Sequence, residues 1–242
     1  MIRVVLFDFN GVIIDDEGLQ MSAYEQTLAG EGIALTEADY YGSLGMDDRA
    51  FVRAAYERAG KPLDDETLAR ILQGKSELHR LSIADELPLF PGVVTLARAL
   101  SRRHTLGIVS MSRRADIEHV LERAALSTVF STIVSADDVS AHKPDPECYN
   151  TAFRRVDEVE RRLGRTSLSP EECVVIEDSP PGIRAAVSAG MRTLGVTNTV
   201  AAAELRAAGA EVVTASLADW TDDTVRHVFE RRPAAGRLGH GA

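Results

Sequence analysis

Cysteine is scarce in this chain: Cys148 and Cys173 are the only two in 242 residues, and no C-x-x-C spacing surrounds them. That excludes a thiolate metal site and a disulfide framework, and leaves small buried thiols of a reducing compartment. No apolar run approaches the roughly 20 residues of a membrane span. A strand-like run begins almost at once, so no space precedes it for the charged and apolar regions of a signal peptide. Positive charge is in deficit too. A formal net charge of −10 and a pI near 5.1 argue against a protein that neutralises nucleic-acid backbones, which needs clustered Lys and Arg. The expectation is a soluble cytoplasmic protein, a monomer or weak homodimer, with no nucleic-acid or membrane partner.

What is present is enough apolar material for a sizeable core. With 45% hydrophobic and 26% charged residues, the length suits one α/β domain or a domain with a smaller insert. Short β-branched runs recur: "RVVLFDF", "HTLGIVS", "STIVSA", "ECVVIED", "RTLGVT" and "AEVVT". Continuous apolarity, without alternation, marks strands covered on both faces, as in a parallel sheet wound with helices. Helical patterns over 92–103, 113–125, 146–163 and 181–189 lie between them, several followed by Gly or Pro. The expected fold is α/β: a doubly wound, mainly parallel Rossmann-like sheet.

Residues 16–86 lack any β-like run, and apolar residues recur there at three- and four-residue steps, as in Met21, Tyr24 and Leu28 or Phe51, Ala54 and Ala55. This predicts a helical domain inserted after the first strand. The sheet domain then comprises 1–15 and 87–232, with a frayed tail over 233–242. Between Pro146 and Asp178 the chain runs 32 residues, more than one helix and a loop need. Ala152, Phe153, Val156, Val159 and Leu163 predict the apolar stripe of a long helix there, with Asp157–Arg161 and Glu158–Arg162 as i,i+4 pairs on its wet face.

In an open α/β sheet the strand C-termini share one edge, and ligands bind in the crevice beyond it. Four segments put reactive side chains there: Asp8 after "VVLF", Ser110 after "LGIV", Lys143 in the loop after "STIVSADDVSA", and Glu177-Asp178 after "CVVI". Singly, each reads equally well as a cap, a surface charge or a turn. Asp15, Asp16 and Glu17 read as caps of the first inserted helix, complementing its dipole, and His142 as a loop residue.

Taken in order, "DFNGV", "VSMS", "HKPDPECY" and "IEDSPPGIRAAVSAGM" resemble the haloacid dehalogenase-like superfamily over essentially the whole chain, in its phosphatase and β-phosphoglucomutase branch with a helical cap. The resemblance implies a small phosphorylated metabolite as substrate and Mg²⁺ as cofactor. It implies Asp8 as nucleophile, forming an aspartyl phosphate. Mg²⁺ would be held by Asp8, Asp178 and the backbone carbonyl of Asn10, with Glu177 close behind. Ser110 and the amide of Met111 would hold phosphoryl oxygens, and Lys143 would balance the charge. Arg49 and Lys75, in "LGMDDR" and "GKSELH", are candidate substrate contacts, as is Gln20, near a position where β-phosphoglucomutases carry His.

Asn10 departs from the pattern. Phosphatases of this superfamily carry an Asp there that protonates the leaving oxygen and deprotonates water, and Asn does neither. Such proton transfer is typically worth about 10²–10⁴ in rate. A mutase suffers most from its loss, a phosphatase of alkyl esters next, and a phosphatase of good leaving groups least. The expectation is an Mg²⁺-dependent phosphatase specialised or slowed by Asn10. The alternatives are a phosphosugar mutase and a catalytically weak phosphometabolite-binding or regulatory protein.

Overall fold

The computed structural model describes residues 1–230, so the tail expected over 233–242 lies outside the described residues. Six strands form one all-parallel sheet: β1 (Val4–Phe7), β2 (Thr105–Val109), β3 (Thr132–Val134), β4 (Cys173–Glu177), β5 (Arg192–Val196) and β6 (Val212–Thr214). Their spatial order is β3-β2-β1-β4-β5-β6. Every residue of β1, β2 and β4 is buried, which is why their sequences are unbroken apolar runs.

The period-2 alternation of a strand divides β1 between two helical layers. Val5 and Phe7 face a core shared with α5 (Val93–Leu100), α6 (Arg114–Arg123) and α10 (Asp222–Glu230). Val4 and Leu6 face α7 (Glu147–Arg162) and α8 (Pro180–Ser188). The short α9 (Ala202–Ala207) packs Leu205 against Ile183. Because β1 pairs with β2 on one side and with β4 on the other, the winding reverses between β1 and β4. The crevice at a doubly wound sheet's switch point therefore opens where Asp8 and Glu177 end their strands.

Four helices lie between β1 and α5: α1 (Glu17–Ala29), α2 (Glu37–Tyr41), α3 (Asp48–Arg58) and α4 (Asp65–Ser82). They enclose a separate apolar cluster that includes Tyr24, Leu28, Tyr40, Phe51, Ala55 and Leu72. Thr36, Asp47 and Asp64 cap α2, α3 and α4 with side-chain oxygens on first-turn amides, each worth about 1 kcal/mol. Asp16 does not: at the N-cap of α1 it makes no capping bond, because its carboxylate is fully buried and bonded elsewhere.

The long helix predicted over 146–163 is α7, with Ala152 and Val156 in the core. Its stripe ends sooner than its apolar residues suggest. Leu163 lies past the last helical turn and is 60% exposed, while Glu160 takes the buried position. Glu160 is satisfied there by Arg3 at 2.7 Å, Arg165 at 2.8 Å and the Thr105 hydroxyl at 2.5 Å. The wet face carries Arg161–Asp157 and Arg162–Glu158 pairs.

Candidate active site

Lys143 stands at the centre of the crevice. Its Nζ donates to Asp8 Oδ1 at 2.6 Å and to Glu177 Oε1 at 2.5 Å, and it is 3% exposed. Burial opposes its charge, but the two carboxylates outweigh burial and hold its pKa well above the ordinary lysine value. Burial, then the charge of Glu177, pushes the Asp8 carboxyl up to about 7 despite Lys143. Burial and the charges of Glu177 and Asp8 raise Asp178 well above the usual carboxylate range.

Glu177 spends both oxygens on protein donors. Oε1 accepts from Lys143 and the Tyr149 hydroxyl, and Oε2 from the Asp178 amide and both the amide and the hydroxyl of Ser179. Gly182, in the first turn of α8, is required by this packing, since a Cβ there would run into the Glu177 carboxylate. Gly11 is required twice over. Its φ of +73° is left-handed, and a Cβ would meet the Asp178 carboxylate. Thr199 donates to Asp178, and Asn198 Nδ2 holds the Gly11 carbonyl at 2.7 Å.

Three carboxylates, Asp8, Glu177 and Asp178, bring ligand oxygens within 4.8 Å of one another in buried surroundings. One ammonium serves two of them. Asp178 meets no cationic side chain among the described residues. An all-oxygen set in which the Asp178 carboxyl faces no cationic side chain fits a hard divalent cation.

Asp8, Asn10, Gln20, Lys75, Ser110, Met111, Lys143 and Asp178, all singled out from the sequence, line one cavity of about 110 Å³ between the sheet edge and the inserted helices. Ser110 is 1% exposed and its Oγ accepts from the Ser112 amide at 3.0 Å. Arg49 is not brought there: it is exposed on α3. Its neighbour Asp48 faces the cavity and binds Lys75 at 3.0 Å. One step along a helix turns a side chain by about 100°, so adjacent residues cannot share a face. Burial alone would raise Asp48, yet Lys75 and the Tyr24 hydroxyl hold it below its ordinary value.

Sequence reasoning missed Glu17 and Tyr40, which also line the cavity and are joined at 2.6 Å. It also missed the network around Asp16. Ser112 Oγ donates to Asn10 Oδ1 at 2.6 Å, while Asn10 Nδ2 donates to the two Asp16 oxygens at 2.9 and 3.0 Å. Gln20 Nε2 donates to Asp16 at 2.8 Å, and His79 Nε2 lies 2.7 Å from it. A run of acids before a helix reads as a cap, and only the distant partner His79 on α4 reveals Asp16 as buried. His142 is a loop residue, its Nδ1 on the Lys143 carbonyl.

Known proteins share this arrangement's sequence and fold. A phosphorylated carbohydrates phosphatase of Thermotoga maritima is 30% identical over 206 residues, which cover 82% of this chain and 87% of that protein. Fructose-1-phosphate phosphatase YqaB of Escherichia coli is 28% identical over 192 residues, covering 79% and 95%. The crystal structure of β-phosphoglucomutase from Clostridium difficile superposes with a TM-score of 0.81 at 23% identity, covering 95% of this chain and 98% of that one; at that identity the likeness is one of fold. Residues 2–190 match the haloacid dehalogenase-like hydrolase family. With the Asp8 loop, the buried Lys143 and the Glu177-Asp178 pair meeting at the switch point of the sheet, the chain belongs to the haloacid dehalogenase-like hydrolases.

Proposed function

We propose that the protein is an Mg²⁺-dependent phosphatase of small phosphorylated metabolites, acting in the cytoplasm through an aspartyl phosphate on Asp8. The observation that carries this reading is the Asp8–Lys143–Glu177 bridge, with bonds of 2.6 and 2.5 Å, at the end of the central strand. Relatives named as phosphatases of a sugar phosphate and of phosphorylated carbohydrates support the substrate class.

Asp8, the backbone carbonyl of Asn10 and Asp178 would hold Mg²⁺, which supplies charge neutralisation for the incoming phosphoryl group when bound. Glu177, saturated by five donors, orients Lys143 and the turn that presents Asp178. Lys143 favours the carboxylate form of Asp8 and aims it, and offsets negative charge as Asp8 attacks phosphorus. Ser110 and the Met111 amide would bind phosphoryl oxygens. The four inserted helices act as a cap that excludes water and contacts the leaving group through Gln20 and Lys75.

The test is initial-rate hydrolysis of phosphate monoesters graded by leaving-group pKa, with Mg²⁺ or with EDTA. The reading predicts metal-dependent turnover and a rate that depends on leaving-group pKa. Release of phosphate at equal rates in EDTA, or no turnover of any ester, contradicts it.

A further inference from the structure

Asn10 leaves this site without its expected proton carrier, and its amide is locked. Ser112 fixes Oδ1 and Asp16 fixes Nδ2, so no rotation turns it into an acid. The proton must then be carried by another group on the cavity wall.

Most are committed. Asp8 is the nucleophile of the proposed reaction, and Asp178 would hold the metal. Lys143 is bound to two carboxylates. Asp48 is held in its ionised form by Lys75 and Tyr24, and Lys75 is engaged both by Asp48 at 3.0 Å and by the Tyr24 ring at 4.9 Å. Burial first, then neighbouring acids, pushes the Tyr24 and Tyr40 phenols well above their ordinary values. Among the described residues no histidine lines the cavity; His79 is spent on Asp16 and His142 on a carbonyl.

Glu17 remains. It opens α1 on the cavity wall, and one oxygen accepts from the Tyr40 hydroxyl at 2.6 Å. No cationic side chain forms a salt bridge with it among the described residues. We propose that Glu17 carries the proton transfer of this site, protonating the leaving oxygen and then accepting the proton of the attacking water. The proposal rests on the phosphatase reading above.

The steps balance. As the Asp8 oxygen bonds to phosphorus and the bond from phosphorus to the leaving oxygen breaks, the Glu17 carboxyl proton passes to that oxygen, giving the free alcohol and a Glu17 carboxylate. A solvent water then bonds to phosphorus and gives its proton to Glu17. The Asp8–phosphorus bond breaks, and phosphate leaves with Asp8 as carboxylate and Glu17 again protonated.

The electrostatic surroundings suit that cycle. Burial first, then repulsion from Asp16 and Asp15, raises the Glu17 carboxyl to about 7, while the Tyr40 hydrogen bond and the charge of Lys75 pull downward. The titratable groups around it are Asp15 and Asp16 before α1, Tyr40 and Tyr41 on α2, Lys75 on α4 and Asp178 after β4, with Asp48 on α3 acting on its partner Tyr40. A carboxyl poised near neutrality serves as both acid and base in one turnover.

Glu17→Gln tests this with Mg²⁺ and two esters, glycerol 1-phosphate and 4-nitrophenyl phosphate. The alkyl ester needs leaving-group protonation, so its kcat should fall by about 10² or more. Single-turnover release of 4-nitrophenolate, a good leaving group, should change less than about threefold, while steady-state turnover falls because water activation is lost. The wild-type loss of kcat on the alkyl ester as pH rises through about 7 should vanish in Glu17→Gln. Tyr40→Phe removes a donor that favours the carboxylate, so it should move that limb to higher pH; this variant decides the question if Glu17→Gln melts early. Equal losses in the first turnover of both esters, or a pH limb unmoved in both variants, overturn the proposal and leave the phosphatase reading standing. Wild-type protein inert toward both esters overturns both.

Discussion

Asn10 and Asp16 form a matched pair: the amide nitrogen of one sits 2.9 and 3.0 Å from the two carboxylate oxygens of the other. Asp16 only accepts and the Ser112 hydroxyl donates to the opposite side, so the network has room for an amide and not for a second acid. Asn10 is thus part of a consistent hydrogen-bonded arrangement extending through Gln20 to the buried His79.

The first consequence concerns Asn10→Asp. Two carboxyls about 3 Å apart cannot both ionise, so this variant should lose about 1–3 kcal/mol of stability at alkaline pH. The raised carboxyl contributes its share of stability below its unfolded value and loses it as pH rises, so the deficit against wild type should shrink on acidification. The single variant should gain little turnover of alkyl esters. Asn10→Asp with Asp16→Ser removes the conflict and, in a Glu17→Gln background, should recover part of the alkyl-ester rate that Glu17→Gln loses. Melting curves at two pH values and kcat for three variants check this.

The acidic cluster makes a prediction about pH and metal. Asp8, raised from its ordinary 3.8 to about 7, stabilises the folded chain below its unfolded pKa and loses that contribution as pH climbs through about 7. Mg²⁺ binding displaces the proton, so the gain in melting temperature from Mg²⁺ should widen between about pH 5 and about pH 8. A gain equal at both ends would contradict the assignment of Asp8 to the metal.

Two glycines should respond in opposite directions to alanine. Gly18, on the exposed side of α1, has nothing within 4 Å of an added Cβ, so Gly18→Ala should stabilise by about 0.5 kcal/mol through helix propensity. Gly182→Ala drives a methyl into Glu177 and should cost about 1–3 kcal/mol. Denaturant midpoints measure both, and Gly182→Ala should also depress turnover because Glu177 orients Lys143.

Lys75 and Arg49 should separate in the same way. Lys75→Met leaves the Asp48 carboxylate unpaired in the cavity wall, costing about 1–3 kcal/mol and raising KM. Arg49→Ala, on an exposed position outside the cavity, should stay within about 0.5 kcal/mol with KM unchanged. Denaturation and initial rates on one ester suffice.

The sheet and the first circle of the site were legible in the sequence for identifiable reasons. Strands covered on both faces write themselves as unbroken apolar runs, and the end of each buried strand carries the groups that meet at the crevice. Asp8, Ser110, Lys143 and Asp178 were singled out this way, and they line one cavity. Glu17 and Asp16 were not, because an acid before a helix has the same local signature whether it caps the helix or turns inward. What distinguishes them, His79 and Tyr40, lies on other helices. The choice between Asp48 and Arg49 depended on the rotational phase of α3, which its N-cap at Asp47 sets. Glu160 was hidden because its burial depends on Arg3, far away in sequence.

The most direct measurement is rapid-quench mass spectrometry of the protein mixed with 4-nitrophenyl phosphate and Mg²⁺. The account predicts one phosphoryl group on the peptide containing Asp8, absent in EDTA and in Asp8→Asn, and longer lived in Glu17→Gln than in wild type. Phosphate released with no adduct on that peptide at any quench time, or an adduct that survives Asp8→Asn, would contradict it.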